Sequence, residues 1–327
     1  MQNLIQTDLT VCICAYNAER YIQETLESLA RQERHDFDVW IIDDASQDNT
    51  KKICEEQFLK YNWDKKNIIT LKKNGGLANA RRYAEMHVQT EYLGFIDADD
   101  VMLPHAVERM MDVIEADENC MSISGYCSYI SPTGNDIHGG IFIGATSKDV
   151  FFEQAAKEKL IFRPPMNISR VSWILRAGCR AVEGFPDGKP RYQDMCEDLD
   201  LWTRMSDFYK EGKYMLVLPE VLFRYRKIPS SMSANGKAMN MRMRHIKCNL
   251  KRRRRGEAEL TFIDFLASLT PWQKVRYAYS DWSQGFYKQA GFHYMKKNYL
   301  RFLLNFGCAA LFNPGYFLQK MKHNVKR

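Results

Sequence analysis

The stretch Gly94-Phe95-Ile96-Asp97-Ala98-Asp99-Asp100 joins a short apolar run to three carboxylates. Tyr92 to Ile96 reads as a buried strand, and like charges gathered at its end raise one another's pKa unless a cation sits among them. A hard divalent ion held by one or two carboxylates and completed by substrate phosphates would supply that cation. Strand ends of α/β sheets are also where ligands bind. The plainer alternative is an acidic turn ahead of a helix that begins near Pro104.

Working outward, strands and helices alternate. Leu9–Ala15 and Phe37–Ile42 are apolar strands, and Ile68–Leu71 is a shorter one. Between and after them lie helical patterns over Arg20–Gln32, Asn49–Tyr61, Leu77–Val88 and Pro104–Ala116. Tyr21, Ile22, Thr25, Leu26 and Leu29 mark one face of the first helix, and Ser46 or Asp48 can cap the second. Fourfold alternation predicts an α/β fold: a Rossmann-like, mostly parallel sheet flanked by helices. Past Ala116 the rhythm changes. Met121–Ile130 is a strand, Ile168–Leu175 an apolar run, Gly184–Gly188 a loop, Asp194–Phe208 a helix with an acid-rich first turn, and Met215–Tyr225 a last strand. From about Asn235 the pattern is helical throughout. The expected domains are therefore a catalytic part over 1–234, with halves of about 1–116 and 117–234, and a basic, aromatic-rich helical region over 235–327.

Composition is that of a globular protein, with 45% hydrophobic and 27% charged residues. The net charge of +7 is unevenly spread. The motif-bearing half is acid-rich and the chain from Lys237 onward is basic, which points the tail at something anionic. Nine cysteines without a C-x-x-C pair argue against a disulfide framework and for a reducing cytoplasm. The polar start is no secretory signal, and Arg301, Asn305, Asn313 and Pro314 interrupt the nearest approach to a membrane span.

Five blocks in order then carry a resemblance. They are Thr10–Asn17 with Glu24–Leu29 and Gln32; Ile42–Thr50 (IDDASQDNT); Asn74-Gly75-Gly76 with Ala80-Arg81; Asp97–Asp100; and Glu197–Trp202 (EDLDLW) with Arg204. Together they resemble a family 2 glycosyltransferase of the GT-A fold over roughly residues 8–230. Such a protein moves a hexose or N-acetylhexosamine from a nucleotide sugar onto a surface glycan or lipid-linked acceptor. Relatives on the same scaffold include dolichol-phosphate-type sugar transferases, and a catalytically silent nucleotide-sugar-binding module is the rival of another class.

The resemblance implies roles. Asp43 or Asp44 accepts the uracil imide proton, Tyr16 stacks on the base, and Ala15 and Asn17 line it. Asn74 and Gly76 form a phosphate- or ribose-side loop, with Arg81 reaching a phosphate. Asp99 is the metal ligand for Mn²⁺ or Mg²⁺, while Asp97 and Asp100 are shared between ribose and metal. Asp198 is the general base toward the acceptor hydroxyl, although acids at a helix N-terminus also suit the macrodipole with no chemistry attached. Glu197, Trp202 and Trp173 fall on the acceptor side, the tryptophans as core or pocket wall. One departure stands out: Ile228 occupies the place where the family often has a histidine metal ligand. Either the metal is held more loosely, or Arg226 and Lys227 supply positive charge to the diphosphate.

Lys251–Arg255 is a dense basic run, followed by aromatics at helical spacing. This combination suits docking on an anionic membrane surface at its cytoplasmic face, with solvated packing as the alternative and nucleic acid disfavoured for want of a recognised module.

Overall fold

The computed structural model describes residues 8–178, 196–228, 236–295, 297–315 and 317–318. Gly184–Gly188 and Asp194 lie outside the described residues. Two compact units are present, one of residues 1–231 with 246–257 and the other of 232–245 with 258–327.

The first unit is built on a nine-stranded sheet of order β3-β2-β1-β4-β8-β6-β9-β5, with β7 paired to β6. Its first half is the expected alternation: β1 (Leu9–Ala15), α1 (Ile22–Ala30), β2 (Phe37–Asp43), α2 (Thr50–Lys60), β3 (Ile68–Thr70), α3 (Leu77–His87) and β4 (Tyr92–Asp97). These four strands are parallel, and their apolar runs are buried between helices on both faces. The register sets Asp43 of β2 opposite Ala15 and Asp97 of β4 opposite Cys14. The acids at both strand ends thus flank the end of β1, where the strand order reverses and α/β sheets open their ligand crevice.

The second half makes the sheet mixed rather than mostly parallel. It runs β5 (Val101–Met102), α4 (Ala106–Glu115), β6 (Cys120–Ile130), β7 (Asp136–Ile141), α5 (Lys148–Ala156), β8 (Asn167–Arg170), α6 (Val171–Ala177), α7 (Glu197–Met205) and β9 (Tyr214–Arg226). β6 and β7 pair antiparallel through a tight turn at Ser131–Asn135, and β8 runs antiparallel to both β4 and β6. The apolar run Ile168–Leu175 divides between β8 and α6. Arg170 sits at the division, buried and bonded to the Cys120 and Ile114 carbonyls and to Glu91. α4 begins at Ala106 rather than Pro104, because the Gln32 side chain accepts from the Val107 amide at 3.0 Å. Trp173 is half-buried against Phe208, whereas Trp202 is buried in the core.

α8 (Gly236–Arg254) carries the basic run, and that run is not a free cationic face. Arg253 and Arg254 each donate to Asp207 at 2.8 Å, Arg254 also reaches the Ala155 and Ser206 carbonyls, and Arg252 pairs with Glu257 at 3.1 Å. Within the run, Lys251 and Arg255 are the exposed cations.

The second unit contains α9 (Phe262–Ser268), α10 (Pro271–Met295) and α11 (Tyr299–Phe312). The ring pairs Phe286–Phe312, Tyr287–Phe306 and Tyr294–Phe302 run in opposite sequence directions, so α10 and α11 pack antiparallel. Asp281 of α10 is taken up by Arg244 at 2.7 Å and by Asn240. Among the described residues, no helix is long and apolar enough to cross a membrane.

Candidate active site

Three loops at the open end of the parallel strands are sewn together by backbone donors. After β1, Asn17 adopts φ 49° and its side chain accepts from the Gln47 amide at 2.8 Å, while its own amide donates to Ser46. Asp48 accepts from the Thr50 amide, and the N-cap of α2, Asn49, makes no side-chain cap, so neither Asp43 nor Asp44 caps that helix. Asp43 accepts from the Ser46 amide at 3.1 Å. Asp44 accepts from the Gly75 and Gly76 amides at 2.8 and 2.6 Å and so holds the third loop against the first two. Burial pushes the Asp44 carboxyl up, against the pull of those two amides. Gly76, just ahead of α3, has φ 83°, a left-handed conformation that favours glycine. Around this frame, Asn74 is exposed and Tyr16 presents half its surface, leaving a ring open to a stacking partner.

Arg81, one turn into α3, is buried and points at the end of β4. Its Nη2 lies 2.7 Å from Asp97 and its Nη1 2.8 Å from Glu197. Burial works against the charge, yet Asp97, Glu197 and Asp198 outweigh it and raise the Arg81 pKa. Arg81 therefore pairs with protein carboxylates, where a phosphate had been expected. Glu197, expected on the acceptor side, is one of its partners. Asp198 follows directly in the first turn of α7, half-buried, with one oxygen accepting from the Leu199 amide at 2.6 Å. The strand-end acids and the α7 acids thus meet on one guanidinium.

The acidic loop itself is clamped from two sides. The Thr25 hydroxyl of α1 reaches the Ala98 and Asp100 carbonyls. Arg226, at the end of β9, donates its amide to Asp100 at 2.8 Å and its Nε to the Asp99 carbonyl at 2.7 Å. Its other guanidinium nitrogens go to Ser131 and Glu24. With every nitrogen committed and the side chain 1% exposed, Arg226 does not supply charge to a diphosphate. Lys227 lies over the Tyr129 and Tyr225 rings at 4.1 and 5.0 Å. Sequence reasoning missed the clamp of Thr25, Glu24 and Arg226. Thr25 had been counted as a packing position, and nothing local marks Glu24 as a partner for a residue 202 positions away.

The loop fits a cation. Burial and the neighbouring Asp97 charge push Asp99 up to about 6, and Asp100 is raised by burial and by both neighbouring acids. One buried oxygen of Asp100 has no hydrogen-bond partner. Uncompensated negative charge of this kind is what a divalent ion relieves. Among the described residues no three acidic, histidine or cysteine side chains converge on one point. Such a set would suit an ion gripped by one or two carboxylates and completed by substrate oxygens.

The profile of Glycosyl transferase family 2 matches residues 10–176, and the chain belongs to that family. It is 42% identical over 101 residues to the teichoic acid poly(glycerol phosphate) polymerase of Staphylococcus epidermidis, covering 30% of this chain and 14% of the polymerase. It is 27% identical over 199 residues to the chondroitin synthase of Escherichia coli, covering 61% of this chain and 26% of that protein. The chain therefore spans a small part of the length of both relatives. Its fold is also that of S. aureus TarS residues 1–349, solved in complex with UDP-GlcNAc, with TM-score 0.57 and 18% identity over 86% of this chain and 81% of that one.

Proposed function

We propose that this chain is an inverting, metal-dependent glycosyltransferase. It moves a hexose or N-acetylhexosamine from a UDP-linked sugar to a cell-surface glycan or lipid-linked acceptor. The observation that carries this reading is the double ion pair of Arg81, which joins Asp97 at the end of β4 to Glu197 beside Asp198. A donor-side acid and a candidate base then border one crevice.

In this reading Tyr16 covers the base and Asp43 and Asp44 hold the loops that frame it, with Ala15, Asn17, Asn74 and Gly76 lining the nucleotide. Asp97 and Asp100 face the ribose side. Asp99, with Asp97 or Asp100, would hold Mn²⁺ or Mg²⁺, which when bound neutralises charge on the departing nucleoside diphosphate. Asp198 takes the proton from the acceptor hydroxyl, whose oxygen attacks the anomeric carbon from the face opposite the diphosphate and inverts the configuration. Arg81 holds Glu197, the residue beside that base, and the donor-side acid in one place. Support for the donor comes from the UDP-GlcNAc complex of TarS, and for a polymer acceptor from relatives named for teichoic acid and chondroitin. We place the protein peripherally on the cytoplasmic face of an anionic membrane, held by its helical C-terminal region.

The test is UDP release from a panel of UDP-sugars with and without Mn²⁺. Turnover of at least one sugar that needs the ion is expected. No release from any sugar, with donor binding undiminished by Asp99→Ala, would make the chain a binding module instead.

A further inference from the structure

α11 is apolar on both of its faces. Phe302, Phe306 and Ala309 look inward at α10, where Ser283 donates to the Ala309 carbonyl at 2.7 Å. The opposite face carries Leu300, Leu303, Leu304 and, two turns further on, Leu311, and these are 73%, 62%, 62% and 82% exposed. A helix with apolar residues on two opposite faces has one more face to cover than its packing on α10 uses. α10 adds Trp272, Tyr279 and Trp282 on one stripe, all exposed, and the last two touch Phe312 at the end of α11. Apolar residues gathered this way mark an interaction surface.

The charges identify the occupant. On α10, α11 and the link between them, the described exposed charged side chains are Lys274, Arg276, Lys288, Lys297 and Arg301, all cations. The single acid of the two helices, Asp281, is consumed by Arg244. A two-fold pairing of this face with a second copy would set those cations against themselves. Anionic headgroups would neutralise them while the leucines and tryptophans enter the acyl boundary.

We infer that the Leu300–Leu311 face of α11, with the aromatic stripe of α10, is where this protein docks on a lipid surface bearing anionic headgroups. The Lys251–Arg255 run, largely paired within the first unit, does not serve that purpose. This assignment rests on the peripheral docking proposed above and not on the chemistry of the aspartate loop.

The experiment is co-sedimentation of the full chain with vesicles of phosphatidylcholine alone or mixed with phosphatidylglycerol, alongside its oligomeric state by analytical ultracentrifugation. The wild-type chain should bind the mixed vesicles. The double variant Leu303→Ser/Leu304→Ser should lose roughly tenfold in affinity, since apolar insertion and headgroup attraction act together. Lys251→Gln should bind as wild type. Leu311→Ser, at the far end of the same face, gives a second reading should the double variant lose helicity by circular dichroism. Wild-type failure to bind either vesicle overturns peripheral docking altogether. Undiminished binding by the leucine variants leaves docking in place but overturns its assignment to α11. A vesicle-blind dimer that these variants split would make the occupant a second copy. UDP release measured without vesicles keeps all these outcomes separate from the catalytic reading.

Discussion

Arg81 Nη1 lies 2.8 Å from Glu197 Oε1, a contact that closes 116 positions of chain. The same guanidinium holds Asp97, so the end of a central strand and the first turn of α7 share one buried cation. Burial disfavours that cation, and the surrounding carboxylates outweigh the cost and raise its pKa. The first turn of α7 is therefore tied to the end of β4 through a single side chain.

Replacing Arg81 by methionine should be costly. It leaves two carboxylates in a mostly dry site without their partner, a loss of about 3–5 kcal/mol for broken buried pairs. Arg81→Lys keeps the charge but not the two-pronged reach, so it should fall between wild type and Arg81→Met. Urea unfolding measures both, and wild-type stability in Arg81→Met would show that the pair is not holding the two halves.

Asp44 is the brace of the loops at the open end of the parallel strands. Asp44→Ala takes the acceptor from the Gly75 and Gly76 amides, at about 1–3 kcal/mol for each donor left unmade. Amide exchange at Gly75 and Gly76 should quicken, and UDP affinity should fall with it. Unchanged exchange would mean that the loop is held by something else.

Asp117 carries a pH dependence of stability away from the site. Lys148, the Tyr214 hydroxyl and the Asn119 amide hold its carboxyl below the usual carboxylate range. The contribution is present above the unfolded pKa, about 4, and is lost as pH falls toward the lower folded value. Asp117→Asn should cost about 1 kcal/mol near neutrality, in the range of a few modest hydrogen bonds at a partly exposed group, and progressively less below pH 4. Denaturation at several pH values reads the difference, which should narrow on acidification rather than widen.

The first half of the fold was legible because its strands are continuous apolar runs, such as Leu9–Ala15, and each ends in chemistry-bearing residues. The spacing of Asp43, Asp44 and Asp97 at strand ends already placed them near one crevice. Long-range side-chain contacts were not legible. Arg226 looked like a cation for a diphosphate because sequence does not show Glu24, Asp99 and Asp100 closing around it. Lys251–Arg255 looked like a free basic patch because Asp207 is more than forty positions away. The split of Ile168–Leu175 into strand and helix is set by Arg170 and its distant carbonyl partners. Local periodicity alone could not supply it.

The most direct test is a comparison of wild type and Asp198→Asn for UDP release and for UDP-sugar affinity in the presence of Mn²⁺. If the carboxylates of β4 and α7 serve one transfer reaction, Asp198→Asn should lose turnover by about 10²- to 10⁴-fold, as expected for removal of a general base, while donor affinity stays near wild type. Wild-type turnover in Asp198→Asn would contradict that arrangement.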